Sequence, residues 1–146
     1  MKKQAYTMIA MIVLVGSMAV AAQAQTSGHT KFIAKIPFQF NVGDKTLPAG
    51  EYTVTQINPS SDRVVLKLES KDGSVMLQMN TVIGKTQDSA RLVFNRYGDR
   101  CYFAQAWTPG QNDGLEASKS RGERSAAREL AGNQRQTQTV AISAIR

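Results

Sequence analysis

Apolar residues recur with a period of two between residues 32 and 42, and this period constrains the fold more than any other feature of the chain. Every second position in the segment is apolar: Phe32, Ala34, Ile36, Phe38, Phe40 and Val42. A period of two places these side chains on one buried face of a β-strand. Pro37 lies on the opposite register and cannot donate a hydrogen bond to a neighbouring strand. We therefore expect the strand to bend at Pro37 or to lie at a sheet edge.

Further strand-like segments follow at a spacing of about 8 to 12 residues, with turn residues between them. They cover residues 51–57, 64–68, 75–79, 90–97, 100–108 and 140–144. Gly43-Asp44 and Gly98-Asp99 suit tight hairpin turns, because glycine tolerates a positive φ. Six or seven short strands of this kind predict a mainly β fold, an antiparallel β-sandwich or small barrel. No helical segment interrupts them to indicate a parallel sheet.

The composition changes after Trp107, where Ala, Glu, Arg, Lys and Ser become abundant. Residues 108–114 have the composition of a loop, and a basic helix is predicted at about 118–131. Gly122 costs that helix about 1 kcal/mol. Ala126, Ala127 and Leu130 form only a thin apolar stripe, so the helix should rest lightly on the sheet. A last strand then returns to the sheet, and we expect residues 31–146 to form one β domain.

The first 24 residues are typical of a cleaved signal peptide. Lys2 and Lys3 precede a dense apolar stretch, which ends in Ala22-Gln23-Ala24, a small-x-small pattern suited to signal peptidase. Cleavage after Ala24 would leave residues 25–30 as a flexible lead and no transmembrane anchor. We therefore expect a periplasmic or secreted protein. The formal net charge of +7 includes the two lysines that leave with the leader.

Few residues in the chain are suited to catalysis. His29 is the one histidine and lies in the flexible lead, where nothing would hold it against a substrate. Cys101 is the one cysteine, so it is either a buried inert thiol or one half of an intermolecular disulfide. Gly84-Lys85-Thr86 lacks the earlier glycine that a phosphate-binding loop needs. We expect no catalytic residue, no cofactor and no metal site.

Carboxylates and aromatic residues leave two further hypotheses open. Two carboxylates from different strands could converge as the acid and base of a glycan hydrolase. Those available include Asp44, Glu51, Asp62, Glu69, Asp72, Asp88 and Asp99. Trp107 and Tyr102 could form a stacking platform for a sugar or a peptide. Strand alternation predicts that they lie on opposite faces, and Trp107 is more simply a core or rim anchor at the end of its strand.

The one charge-dense feature is the cluster of Lys119, Arg121, Arg124 and Arg128, with Arg135 beyond it. Three of these arginines are spaced three and four residues apart, hence on one helix face. This face could bind a polyanion such as an anionic glycan or lipid. The composition favours a plainer interpretation, a solvated helix that Glu123 and Glu129 partly neutralise. Nucleic acid is not the expected partner, because no aromatic residue is interleaved for base stacking.

Two segments carry a family resemblance. Residues 36–43 read Ile-Pro-Phe-Gln-Phe-Asn-Val-Gly, and residues 47–54 read Leu-Pro-Ala-Gly-Glu-Tyr-Thr-Val. With the later Trp107-Thr108-Pro109-Gly110 and the basic helix, the chain resembles a group of small exported proteins of unknown function from acidobacterial soil bacteria. The similarity spans most of the chain after the leader. It implies a β fold and export, and it assigns no catalytic residue.

These observations together predict an exported, non-enzymatic binding or structural protein of the cell envelope, whose ligand and partner are unknown. Its contact surface would be the β-sheet, with Pro37 marking an exposed edge for strand addition. A polyanion-binding protein that uses the basic helix, or a carboxylate-based glycan hydrolase, is the alternative.

Overall fold

A computed structural model describes residues 31–58, 63–132 and 138–144, which form ten strands and one helix. The strands are β1 (Lys31–Ile36), β2 (Phe40–Val42), β3 (Lys45–Leu47), β4 (Gly50–Ile57), β5 (Val64–Ser70), β6 (Gly73–Ile83), β7 (Arg91–Tyr97), β8 (Arg100–Trp107), β9 (Asp113–Ala117) and β10 (Gln138–Ser143), and the helix is α1 (Arg121–Gly132). The predicted signal peptide (1–24) and the lead that contains His29 lie outside the described residues.

All ten strands belong to one sheet, in the order β1-β4-β5-β6-β9-β8-β2-β3, with β7 also pairing β8 and β10 pairing β7. Every pairing is antiparallel except that between β2 and β8. The predicted fold class is confirmed: over the residues that the structure describes, the protein is mainly β, with one helix towards the C-terminal end and a last strand, β10, that returns to the sheet. The end strands β1 and β10 lie near each other, but the described residues form no ladder between them, and the sheet is not closed into a barrel.

The alternating segment that begins at Phe32 buries its apolar side chains as predicted, but it forms two strands. β1 ends at Ile36 and pairs with β4, whereas β2 begins at Phe40 and pairs with β3 and β8. Pro37 lies in the break between them. Since proline cannot donate a ladder hydrogen bond, the chain leaves its first partner there and crosses to another part of the sheet.

One core fills the interior face of the sheet, and aromatic rings dominate it. Phe94 packs edge-on against Phe38, Phe40 and Phe103, with ring centroids 5.2, 5.3 and 5.7 Å apart. Phe40 also packs against Tyr52 at 5.2 Å. Edge-to-face geometry of this kind adds to the stabilisation from buried area. Cys101 lies in this core as a free thiol, and burial raises its pKa.

Two details near the C-terminal helix differ from the prediction. Residues 113–117 form β9, which lies between β6 and β8. The sequence predicts a loop up to residue 114 and no strand between that loop and the helix. The helix begins at Arg121 instead of about residue 118. Leu115 packs against the core from β9, so tertiary packing overrides the weak strand propensity of this short segment.

Candidate functional site

The basic helix begins at a capping residue that its sequence encodes. The Glu123 N–H donates to Ser120 Oγ at 3.1 Å, and the Arg124 N–H donates to the Ser120 carbonyl at 3.1 Å. Ser120 and Glu123 have the Ser-x-x-Glu spacing of a capping box. This signal was present in the sequence, and it locates the start of α1 at Arg121.

Glu123 is buried, at 4% exposure, and its side chain points into the sheet. Its Oε1 accepts hydrogen bonds from Asn95 Nδ2 at 2.9 Å and from the Tyr97 hydroxyl at 3.1 Å. Two main causes raise the pKa of Tyr97 to about 12: burial, which is the larger, and the negative charge of the neighbouring Glu123 carboxylate. The phenol therefore stays protonated and donates. Glu123 thus anchors the first turn of α1 to β7, a role that sequence analysis did not assign.

A small apolar cluster on the outer face of the sheet supports the same helix. Ala126 and Leu130 are buried against Tyr97 and Tyr102, whose rings pack edge to face with centroids 5.8 Å apart. Ala127 packs against this cluster while only half-buried. The prediction of a thin apolar stripe is confirmed: the helix contributes two buried apolar side chains, Ala126 and Leu130, both on its inner face.

The second acidic residue of the helix is also engaged. Glu129 forms an ion pair with Arg100, which lies at the start of β8. The hydrogen bond that Arg100 donates to Glu129 is the main cause that raises the pKa of the guanidinium, and the negative charge of Glu129 is the second. Both partners are exposed, so the pair contributes little to stability. It does hold the Glu129 charge against the sheet side of the helix.

The cations predicted as the site lie on the opposite side of the helix. At 100° per residue, Arg121, Arg124 and Arg128 fall within about 60° of one another and point away from Glu123. All three are exposed, and Lys119 is exposed just before the helix. Among the described residues, these four cations have no ion pair with a carboxylate. Arg135 lies outside the described residues.

The structure therefore changes the balance of charge on this helix. The sequence favoured a helix that Glu123 and Glu129 partly neutralise, but one carboxylate is buried and the other is paired with Arg100. The outward surface of Arg121, Arg124 and Arg128, together with Lys119, is referred to below as the arginine face. It runs for about 10 Å from Arg121 to Arg128, at 1.5 Å per residue.

Tyr102 and Trp107 do not form the stacking platform considered from the sequence. Val93 pairs with Gln105 and Phe94 pairs with Phe103, so Ala104 is an extra residue in β8 and forms a β-bulge. The bulge reverses the alternation, and both rings lie on the outer face. The prediction of opposite faces was wrong for this reason.

Both rings are nevertheless buried. Tyr102 lies beneath α1, and Trp107 lies over Gly114 of β9, where a Cβ atom would come within 2.7 Å of the indole. Trp107 Nε1 donates to Gln105 Oε1 at 3.0 Å, and Gln105 Nε2 donates to Glu116 Oε1 at 3.0 Å. The indole also contacts Gly84, so the glycine of the Gly-Lys-Thr segment serves packing. Trp107 is an anchor at the end of its strand, as predicted.

Two of the carboxylates considered for hydrolysis, Glu51 and Asp72, line one cavity of about 400 Å³ at the start of β4. Both are exposed to solvent, whereas an acid and base tuned for glycan cleavage require burial or close charges that separate their pKa values. Asp62 lies outside the described residues. Within the described ranges, no group of three or more His, Cys, Asp or Glu residues could hold a metal ion.

Comparison of the chain with protein-family models, with curated proteins and with solved structures finds no match. No helix in the described part of the chain is long and apolar enough to cross a membrane.

Proposed function

We propose that this protein is an exported, non-enzymatic binding protein of the cell envelope or exterior, and that it binds anionic glycans through the arginine face. The observation that carries the proposal is that residues of the sheet engage both carboxylates of the helix. Glu123 is buried against Asn95 and Tyr97, and Glu129 is paired with Arg100. The arginine face therefore carries four cations that neither acid of the helix pairs with.

The electrostatics of the face favour an anionic ligand. Arg121 and Arg124 lie in and just after the first turn of α1, where the positive end of the helix dipole disfavours further cations. Like charges three and four residues apart also destabilise a helix, by about 0.2–0.5 kcal/mol per pair. A bound polyanion would relieve both effects. Arginine suits phosphate, sulfate and carboxylate groups, because its guanidinium can donate two parallel hydrogen bonds.

The form of the face favours recognition by charge. It lies on one convex helix, so it suits a row of anionic groups along an extended glycan better than a small enclosed ligand. Tyr102 and Trp107, the aromatic side chains considered for stacking, are both buried. They are not available to stack against nucleobases, which fits an envelope glycan better than nucleic acid.

Heparin, a sulfated glycan, is a suitable probe. The protein that begins at Gln25 should be retained on a heparin column and should elute as salt rises, since salt competes with counterion release. Replacing Lys119, Arg121, Arg124 and Arg128 with Gln should shift elution to markedly lower salt. Glutamine has a helix propensity close to that of Arg and Lys, so α1 should persist in the circular dichroism spectrum.

A charge-matched variant provides the control. Lys31, Lys35, Lys45 and Lys71 are four exposed lysines outside the helix, and replacing them with Gln lowers the net charge equally. The proposal requires this variant to elute close to the wild type. Equal loss of retention in both variants would show that only net charge matters and would overturn it. Turnover of a glycan by the purified protein, abolished by Glu51→Gln or Asp72→Asn, would overturn the non-enzymatic part.

A further inference from the structure

On its β9 side, strand β6 is open over about half its length. On one side β5 pairs with residues 73–79, and on the other side β9 pairs only with residues 79–83. Within the described ranges, residues 73–78 therefore have no ladder partner on the β9 side. Unpaired N–H and C=O groups along a strand are a template for pairing with another chain.

This edge also lacks the features by which β-proteins protect their edges. Residues 73–78 read Gly-Ser-Val-Met-Leu-Gln, without a charge or a proline. The edge proposed from the sequence is different: β1 carries Lys31, Lys35 and the adjacent Pro37, and it lies near β10. β3 is only three residues long and begins with Lys45. Lysine, proline and shortness all discourage edge-to-edge pairing.

We infer that the open β6 edge pairs with the same edge of a second copy of this chain, antiparallel across a two-fold axis. Directly opposed residues in a ladder point to the same face of the sheet. Because faces alternate along a strand, odd-numbered residues of one copy must pair with odd-numbered residues of the other, and even with even. Val75 is buried inward and Met76 points outward at 59% exposure. In the register whose two-fold axis passes between the two Met76 residues, Met76 lies opposite Met76, Val75 opposite Leu77, and Ser74 opposite Gln78.

A second copy fits this edge because the segment is complementary to itself. The chain carries a formal net charge of +7, yet this register opposes no two charged residues within 74–78. An uncharged edge has no electrostatic preference for a charged partner peptide. What it requires is another uncharged strand with small and apolar residues in matching positions, and the same segment of a second copy supplies one. The axial Met76 pair would cover two of the most exposed large apolar side chains.

The test uses the protein that begins at Gln25 and a pair of matched variants. Met76→Lys places a charge on the two-fold axis. Ile83→Lys makes the same change at a 71% exposed site of the same strand, where β9 already occupies the edge. Sedimentation equilibrium should show a concentration-dependent dimer for wild type and Ile83→Lys, and a dimer at least tenfold weaker for Met76→Lys. Equal dimerisation of the two variants, or a monomeric wild type up to about 0.5 mM, would overturn the inference.

Disulfide trapping tests the register independently. Opposed residues across an antiparallel ladder have Cα atoms about 4.5–5.5 Å apart, within the range that a disulfide spans. Met76→Cys should therefore form a covalent dimer under mild oxidation. Gln78→Cys, which faces Ser74 in this register, should not, and the wild type controls for the buried Cys101. Equal trapping at positions 76 and 78 would refute the register.

Discussion

Replacing Glu123 with alanine should release the basic helix from the sheet. The carboxylate is 4% exposed, and its Oε1 accepts from both Asn95 Nδ2 and the Tyr97 hydroxyl. Alanine is a good helix former, so α1 keeps its intrinsic propensity. The loss falls on the two donors, because the buried Tyr97 hydroxyl and the part-buried Asn95 amide would have no acceptor.

The expected loss in the free energy of unfolding for Glu123→Ala follows from the cost of leaving buried hydrogen-bond donors without an acceptor. A buried donor left without a partner costs about 1–3 kcal/mol, so two partly compensated donors predict a loss of about 2–4 kcal/mol in the free energy of unfolding. Glu123→Gln should cost far less than Glu123→Ala, because the amide oxygen can replace Oε1 as acceptor for both donors. Adding Tyr97→Phe to Glu123→Ala should recover part of the loss, since it removes one orphaned hydroxyl.

Urea unfolding of the four proteins measures these differences, and hydrogen exchange localises them. Amides of residues 121–132 should exchange faster in Glu123→Ala, while those of β4 and β5 remain protected. A loss below about 0.5 kcal/mol for Glu123→Ala, which would mean that the orphaned donors cost nothing, would refute the anchoring role. Equal losses for the Ala and Gln variants would refute the argument from hydrogen-bond acceptance.

Two further predictions concern the outer face of the sheet. The pKa of Tyr97 is raised to about 12 in the folded protein, so its contribution to stability is complete below pH of about 10 and is lost as the pH rises toward 12. Tyr97→Phe should flatten this alkaline decline in the urea midpoint, and an unchanged decline would contradict the assignment. Gly114→Ala would place a Cβ atom 2.7 Å from the indole of Trp107, and the forced displacement should cost about 1–3 kcal/mol. Fluorescence of this single tryptophan should shift to the red, whereas unchanged emission and stability would argue against the packing.

The arginine face shows how burial can alter a charge count. Three arginines and two glutamates in a short helix indicate partial neutralisation when only the sequence is considered. Glu123 is buried against the sheet, and Glu129, although exposed, is paired with Arg100, so neither acid neutralises the arginine face directly. The capping-box spacing of Ser120 and Glu123 is visible in the sequence, but the burial of the Glu123 side chain depends on where β7 places Asn95 and Tyr97. That position is a property of the sheet.

The aromatic residues of β8 likewise depend partly on local alternation and partly on tertiary packing. Alternation correctly predicted the buried register from Phe32 onward, where each strand is regular. It was wrong for Tyr102 and Trp107, because one extra residue, Ala104, shifts the register between them. β9 was not predicted, since Gly114 and its neighbours have weak strand propensity. Trp107 lies directly over that glycine, so the strand forms from packing that local sequence does not encode.

By itself, the sequence determined the class of the fold, the strands with an apolar residue at every second position, the approximate extent of the helix, and the cations that it carries. These features depend on local periodicity and turn chemistry, which act over a few residues. Only the tertiary structure decided which strands are neighbours after Pro37, how the two helix carboxylates are engaged, and which half of β6 is left open. Those properties depend on contacts between residues far apart in the chain, such as Glu123 with Asn95, and no local pattern specifies them.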